Sequence, residues 1–256
     1  MKLKGFIAIA VLILLGCSHA PSGRETVFQQ STIDALLQGN YQSKTTFAEI
    51  KRHGDFGIGT FADLDGEMAA YDGNFYQIKS DGKVYPVTDS MTTPFAAVSF
   101  FETDFEHVIE QIDDFAALET AIDAELPTKN IFYAIKVEGV FKEIKVRSVP
   151  KQSRPYKPLV EVVKSQPVYT YTDIRGTLVG FRCPDYVKGI NVPGYHFHFI
   201  DEAQKVGGHV LSCRIRDAVV KIDATHGFEM ALLDDEQFYH TALGRDQSED
   251  LKKVEE

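Results

Sequence analysis

Three histidines lie close together in residues 192–216, VPGYHFHFIDEAQKVGGHVLSCRIR. His196 and His198 are two positions apart. On a strand that spacing turns both imidazoles to one face and Phe197 and Phe199 to the other. Residues 201–204, DEAQ, suit the turn of a hairpin. Pairing 200 with 205 sets 198 against 207 and 196 against 209. His209 then faces His196, where opposed Cβ atoms lie ~5 Å apart. Gly207 and Gly208, just before it, allow a bulge or the close approach of a ligand. Three neutral imidazoles converging on one strand face suit a divalent transition metal, zinc first. The plainer alternative is a pair of exposed strand histidines, since a lone H-x-H is common. The third histidine behind a glycine pair argues for the metal. His19, His53, His107, His226 and His240 have no partner at ligand spacing and read as surface or structural residues.

The same histidines admit a rival. His196-x-His198-x3-Glu202 approximates the first metal motif of cupins. Cupins bring a second motif with proline, glycine and a further histidine, and no proline follows Pro193 here. A cupin-like metal-dependent enzyme is therefore the weaker alternative. Two other polar groups stand out. Glu67 lies in GTFADLDGEM (59–68), just past an Asp-Gly turn, where an exposed hairpin glutamate is the ordinary expectation. Arg147 opens RSVPKQSRPYKPL (147–159), and Lys145, Lys151, Arg154 and Lys157 crowd the same region. That patch is either a soluble linker or a place to meet an anionic substrate.

These groups must be positioned by an ordinary globular chain. It has 256 residues, 44% of them hydrophobic and 25% charged, which excludes a disordered chain, a collagen-like fibre and a disulfide-dense mini-protein. The formal net charge of −10 argues against binding nucleic acid, which needs a positive field. A small anion needs only one local cationic spot. Residues 31–39 and 46–54 read as short helices, each stopped by a glycine, with Ser31 or Thr32 as the first N-cap. Asp65-Gly66, Asp72-Gly73 and Asp81-Gly82 are hairpin signals between antiparallel strands. Residues 95–101 read as a strand. Residues 103–126 read as a helix, with Val108, Ile109, Ile112, Phe115 and Leu118 on one side. Residues 132–149 read as strands turning at Gly139. The proline-rich 150–158 links two halves. Strands follow at 168–171 and 177–183, and a helix at 234–243. Sheet with helices in no strict β-α alternation means an α+β fold. The expected organisation is two subdomains built on mixed β-sheets with flanking helices: 26–150 around an N-terminal sheet and 151–256 around the metal.

Residues 1–25 read as a segment outside that fold. Lys2 and Lys4 precede an apolar run over 6–15, of signal-peptide size and too short to span a bilayer. Leu14-Leu15-Gly16-Cys17 resembles the bacterial lipobox, and a polar tether follows. The expectation is an exported chain, extracellular or lipid-anchored through Cys17, with no other membrane contact. Cys183 and Cys213 then read as unpaired thiols, although an oxidising compartment leaves pairing open.

GTFADLDGEM, RSVPKQSRPYKPL and VPGYHFHFIDEAQKVGGHV, in that order and spacing, closely resemble the acetolactate decarboxylase family, from about residue 26 onward. The resemblance implies a homodimer of two-part subunits with mixed sheets. It implies zinc held by His196, His198 and His209, an essential arginine at Arg147, and two glutamates near the metal, Glu67 and Glu255. Thr60 matches a position facing the pocket. The implied reaction is decarboxylation of 2-acetolactate to acetoin and CO2, with the metal chelating the substrate and stabilising an enediolate. Arg147 would bind the substrate carboxylate and help deliver the final proton. An arginine is a poor acid, so a relay through Glu67 or water is equally open. Whether Glu67 and Glu255 ligate, orient or shuttle protons is open as well. By composition alone the tail 246–256, DQSEDLKKVEE, frays in solvent. Leu251 and Val254, three apart, could anchor a final helical turn. The competing non-enzymatic reading is a lipid-tethered metal-binding or adhesion protein.

Overall fold

The computed structural model describes residues 23–255. The expected signal segment and Cys17 lie outside the described residues. Twelve strands run in chain order: β1 Thr26–Gln30, β2 Phe56–Thr60, β3 Glu67–Tyr71, β4 Asn74–Ile78, β5 Val84–Pro86, β6 Ala96–Ser99, β7 Phe105–Ile112, β8 Phe132–Arg147, β9 Val168–Cys183, β10 Gly194–Asp201, β11 Gly207–Thr225 and β12 Gly227–Ala231. Six α-helices accompany them among the described residues: α1 Ile33–Leu37, α2 Phe47–Ile50, α3 Phe115–Asp123, α4 Leu159–Val162, α5 Glu236–His240 and α6 Ser248–Glu255. The fold is α+β, as its sequence pattern predicts. Among the described residues no helix is long and apolar enough to cross a membrane.

Seven strands form one sheet in the order β12-β1-β6-β2-β3-β4-β5, with β1 and β12 parallel and the other neighbours antiparallel. Five form the second, β10-β9-β8-β11-β7. There β10 also pairs with β11, so β8, β9, β10 and β11 close into a ring. The sheets do not divide at residue 150. β7 and β8 come before it and belong to the second sheet, and β12 returns to the first.

Local chemistry explains the short elements. Thr32 caps α1, its side chain accepting from the Ala35 N–H. Thr46 and Glu49 form a reciprocal capping box on α2. Asp72 and Gly73 turn β3 into β4 with φ of 51° and 77°, the left-handed pair that a two-residue hairpin requires. The proposed helix over 103–126 is corrected: residues 105–112 are strand β7, and the helix is only α3. Val108, Ile109 and Ile112 do fall at helical spacing, but they are β-branched. The long β11 offers them a ladder from Ile112 opposite Ile215 to Phe105 opposite Ile222. Asp114 then caps α3 by accepting from the Ala117 N–H at 2.8 Å.

Gly139 is not a turn either. β8 runs unbroken for 16 residues, and so does β9, where two strands were expected. Gly139 lies opposite Ala218 on β11 and Gly176 on β9. A Cβ there would stand 2.3 Å from the Asp217 carbonyl oxygen and 2.4 Å from the Ala218 Cβ. The glycine is a close approach between backbones, which sequence spacing alone does not distinguish from a turn. Gly139→Ala should lower stability by about 2 kcal/mol, and the thermal midpoint by roughly 4–8 °C. A melting curve within a degree of the parent would refute the close packing.

The larger core lies within the second sheet and under α3, around Leu118, Ile122, Phe141, Phe197, Phe199 and Ile215. A second cluster joins the sheets, with Val27, Phe56 and Ile58 from one against Phe132, Val179 and Phe181 from the other. Burying such side chains contributes about 1.5–3 kcal/mol each. This packing holds the start of β3 beside the ends of β8, β10 and β11. Cys183 and Cys213 are buried free thiols, and burial pushes each up to about 12.

Candidate active site

The hairpin carrying the histidines pairs Ile200 with Gly207, Phe199 with Gly208, and His198 with His209. The register is thus two residues from the expected one, which set His196 against His209. The Asp201 carboxylate causes the shift. It accepts from the backbone N–H groups of Ala203, Lys205 and Val206, and so builds a wider loop. A shift of two leaves every side chain on its original face. All three imidazoles therefore still converge: their ligand atoms lie within 4.8 Å of one another. His196 Nε2 and His209 Nδ1 are 3.0 Å apart. Gly207 and Gly208 are needed for close backbone approach. A Cβ on Gly207 would stand 2.2 Å from the Phe199 carbonyl oxygen, and one on Gly208 2.4 Å from that of Arg147.

Arg147 ends β8 directly opposite His209, and Glu67 begins β3 opposite Thr60. Neither is solvated: Arg147 is 4% exposed and Glu67 5%. The exposed hairpin glutamate and the soluble-linker arginine are both set aside. Arg147 Nη1 donates to Glu67 Oε1 at 2.8 Å, and Nη2 donates to the Val254 carbonyl at 3.1 Å. Glu67 Oε1 also accepts from the Val149 N–H at 3.3 Å. Glu67 Oε2 lies 3.7 Å from His198 Nε2. Glu255, the last residue of α6, brings Oε2 to 3.7 Å from the Nε2 atoms of both His196 and His209. The side-chain hydroxyl of Thr60 donates to the Gly66 carbonyl at 2.7 Å. That bond supports the turn leading into Glu67 while Thr60 lines the same chamber as Arg147.

Two spaces meet at the triad. An inner one of about 30 Å³ is lined by Thr60, Glu67, Arg147, His196, His198 and Glu255, with apolar walls behind them. That is room for about one water. An outer cavity of about 920 Å³ shares His196 and Glu255 and adds His209. His196 and Glu255 thus stand between the open cavity and Arg147.

The electrostatics favour neutral imidazoles. Burial, reinforced by the Arg147 charge, pushes His196 down to about 3. Burial likewise holds His198 and His209 well below the ordinary histidine range. Burial raises the Glu67 carboxyl against the lowering effect of Arg147, and pushes Glu255 up to about 7. A neutral imidazole is the form that ligates a metal. His198 Nδ1 lies 2.7 Å from the Met68 carbonyl; it must donate there, which leaves Nε2 with the lone pair. That Nε2 is buried without a hydrogen-bond partner, as are His196 Nδ1 and Arg147 Nε. An orphaned, lone-pair-bearing nitrogen beside two further imidazoles fits a soft or borderline divalent cation. The carbonyls of Met68 and Val254 carry no signal in the sequence, because every residue has one.

A family model for alpha-acetolactate decarboxylase matches residues 27–245. The chain belongs to that family. Its activity is that of an acetolactate decarboxylase, a carboxy-lyase. An alpha-acetolactate decarboxylase of Methylococcus capsulatus is 50% identical over 237 residues, which cover 92% of this chain and 91% of that protein. One from Methanosarcina mazei is 50% identical over 231 residues, covering 90% and 80%. The crystal structure of the alpha-acetolactate decarboxylase of Bacillus subtilis strain 168 superposes with a TM-score of 0.88 at 40% identity, covering 90% of this chain and 99% of that one. Membership sets aside the cupin-like and purely metal-binding readings. The matched span stops short of α6, so the placement of Glu255 rests on geometry.

Proposed function

We propose that the chain decarboxylates 2-acetolactate to acetoin and CO2 with a zinc ion held by His196, His198 and His209. The observation that carries this reading is the buried convergence of three neutral imidazoles next to a buried arginine. Zinc there would supply Lewis acidity, polarising the substrate's ketone and hydroxyl oxygens and stabilising negative charge as CO2 leaves. The chain's own residues do the rest. Arg147 binds the substrate carboxylate, exchanging the Glu67 or Val254 oxygen it holds at rest. Thr60 and the apolar walls of the inner chamber keep bulk water from Arg147, and the outer cavity has the space to admit the substrate to the triad. Loss of CO2 leaves the carbon–carbon bonding pair on the hydroxyl-bearing carbon that carried the carboxylate, delocalised onto the ketone oxygen as an enediolate. That carbon must then gain a proton on one face. Glu255, with its carboxylate oxygen 3.7 Å from His196 Nε2, sits at the triad where it can carry that proton. Glu67 keeps the arginine fork aligned from the other side.

The direct test is purified, metal-loaded protein with 2-acetolactate and a colour assay for acetoin. No acetoin from folded protein would overturn the reading. His209→Ala should lower zinc content and turnover together. Full zinc stoichiometry in that variant would remove His209 from the site. The same reading includes a homodimer, checked by sedimentation. It also includes export with lipid attachment at Cys17, checked by the mass of the mature N-terminus.

A further inference from the structure

We infer that Gln247 is a positioning residue for Glu255, an inference that rests on the role proposed for Glu255 above. Two buried side chains are all that α6 contributes to the core. Of its eight residues only Leu251 and Val254 are buried, against a cluster that includes Ile33, Leu36 and Leu159. Ordering eight residues costs conformational entropy that two apolar side chains do not offset alone. Polar pins must hold the helix. One is at its end, where Arg147 donates to the Val254 carbonyl.

Another is Gln247, immediately before the helix. Gly244, Arg245, Asp246 and Glu249 around it are exposed, whereas Gln247 is 3% exposed. A buried amide in an exposed segment needs a reason. Its side chain is used at both ends: Oε1 accepts from Gln38 Nε2, and Nε2 donates to the Asp34 carbonyl at 3.3 Å. Its backbone carbonyl accepts from the Leu251 N–H at 2.9 Å and so starts the helix. Both side-chain partners belong to α1 or its C-cap. α1 is itself fixed, since the Ile33 N–H donates to the Ile190 carbonyl at 2.9 Å.

Eight helical residues span ~12 Å from this clamp to the Glu255 end. A helix transmits a displacement at its start to the carboxylate at its end. Misplacement by ~1 Å is costly for a group that must meet a reacting atom. Gln247 therefore acts on the reaction through α6, without touching the triad itself.

The test is a double-mutant cycle with amide exchange as a second readout. Gln247→Ala should speed exchange of the amides at 251–255 at least tenfold, with β10 and β11 unchanged. Turnover should fall about tenfold, equivalent to about 1.4 kcal/mol, with zinc content retained. On a Glu255→Gln background the same change should cost less than twofold. Unchanged exchange at 251–255 would overturn the clamp. A tenfold fall that persists on the Glu255→Gln background would show that Gln247 acts elsewhere. Faster exchange with turnover unchanged would uphold the clamp and reject the role of Glu255.

Discussion

Arg147→Lys is expected to lower turnover at least a hundredfold while the zinc proposed for the three histidines is retained. The charge survives the substitution, so a large effect must come from geometry. The guanidinium is a planar fork with one arm on Glu67 and the other on the Val254 carbonyl, and its Nε is buried without a partner. A lysine ammonium is one point on a flexible stem. It can hold Glu67 or the end of α6, and it cannot grip a carboxylate bidentately while doing so. A hundredfold loss corresponds to about 2.7 kcal/mol of transition-state stabilisation, the scale of one charge-assisted hydrogen bond lost in a buried site. Zinc should be retained, because the histidines come from β10 and β11 and none of them takes a hydrogen bond from Arg147. Kinetics and metal analysis on one preparation decide the matter. Near-normal turnover would show that Arg147 only ties α6 to β3. Loss of metal together with activity would show that its charge and packing shape the triad itself.

How much of this was legible from the chain depends on the range of the interaction. The two-residue spacing of His196 and His198 is local, and it predicts a shared face without knowledge of the fold. The loop between β10 and β11 is two residues wider than the sequence predicts, because the Asp201 side chain, and not the backbone alone, sets its width. The even shift spared the conclusion: a shift of one would have turned His209 away. Residues 105–112 misled because an edge ladder to β11, a hundred positions later in the chain, overrode a helical pattern. Gly139 misled because its neighbours across the sheet come from elsewhere in the chain. The Arg147–Glu67 pair joins residues 80 positions apart and has no local signature. The positive patch around Arg147 points to an anion site, but only the resemblance places Arg147 and Glu67 together.

The tail offers the sharpest contrast between composition and place. Residues 246–256 carry the composition of a solvated end, yet Leu251 and Val254 are buried and Glu255 reaches the triad. Glu256 lies outside the described residues. Ending the chain after Val254 should leave a folded protein that still binds zinc, with turnover lower by two orders of magnitude or more. The expected loss is roughly 3 kcal/mol of transition-state stabilisation, typical of a group that acts on the reacting atoms. Folding should survive, because the apolar anchors remain and the new terminal carboxylate falls where Arg147 already donates to the Val254 carbonyl. That carboxylate is also a complication, since it puts a charge near the triad that the parent lacks. The single variants avoid it. Glu255→Gln keeps size and hydrogen-bonding capacity, removes the titrating proton, and should reproduce most of the loss. Glu256→Gln alters a neighbouring charge of the same type and should leave turnover within about twofold. Equal activity of the two single variants would mean that the carboxylate at the triad does no chemistry, and that α6 closes the site by packing alone.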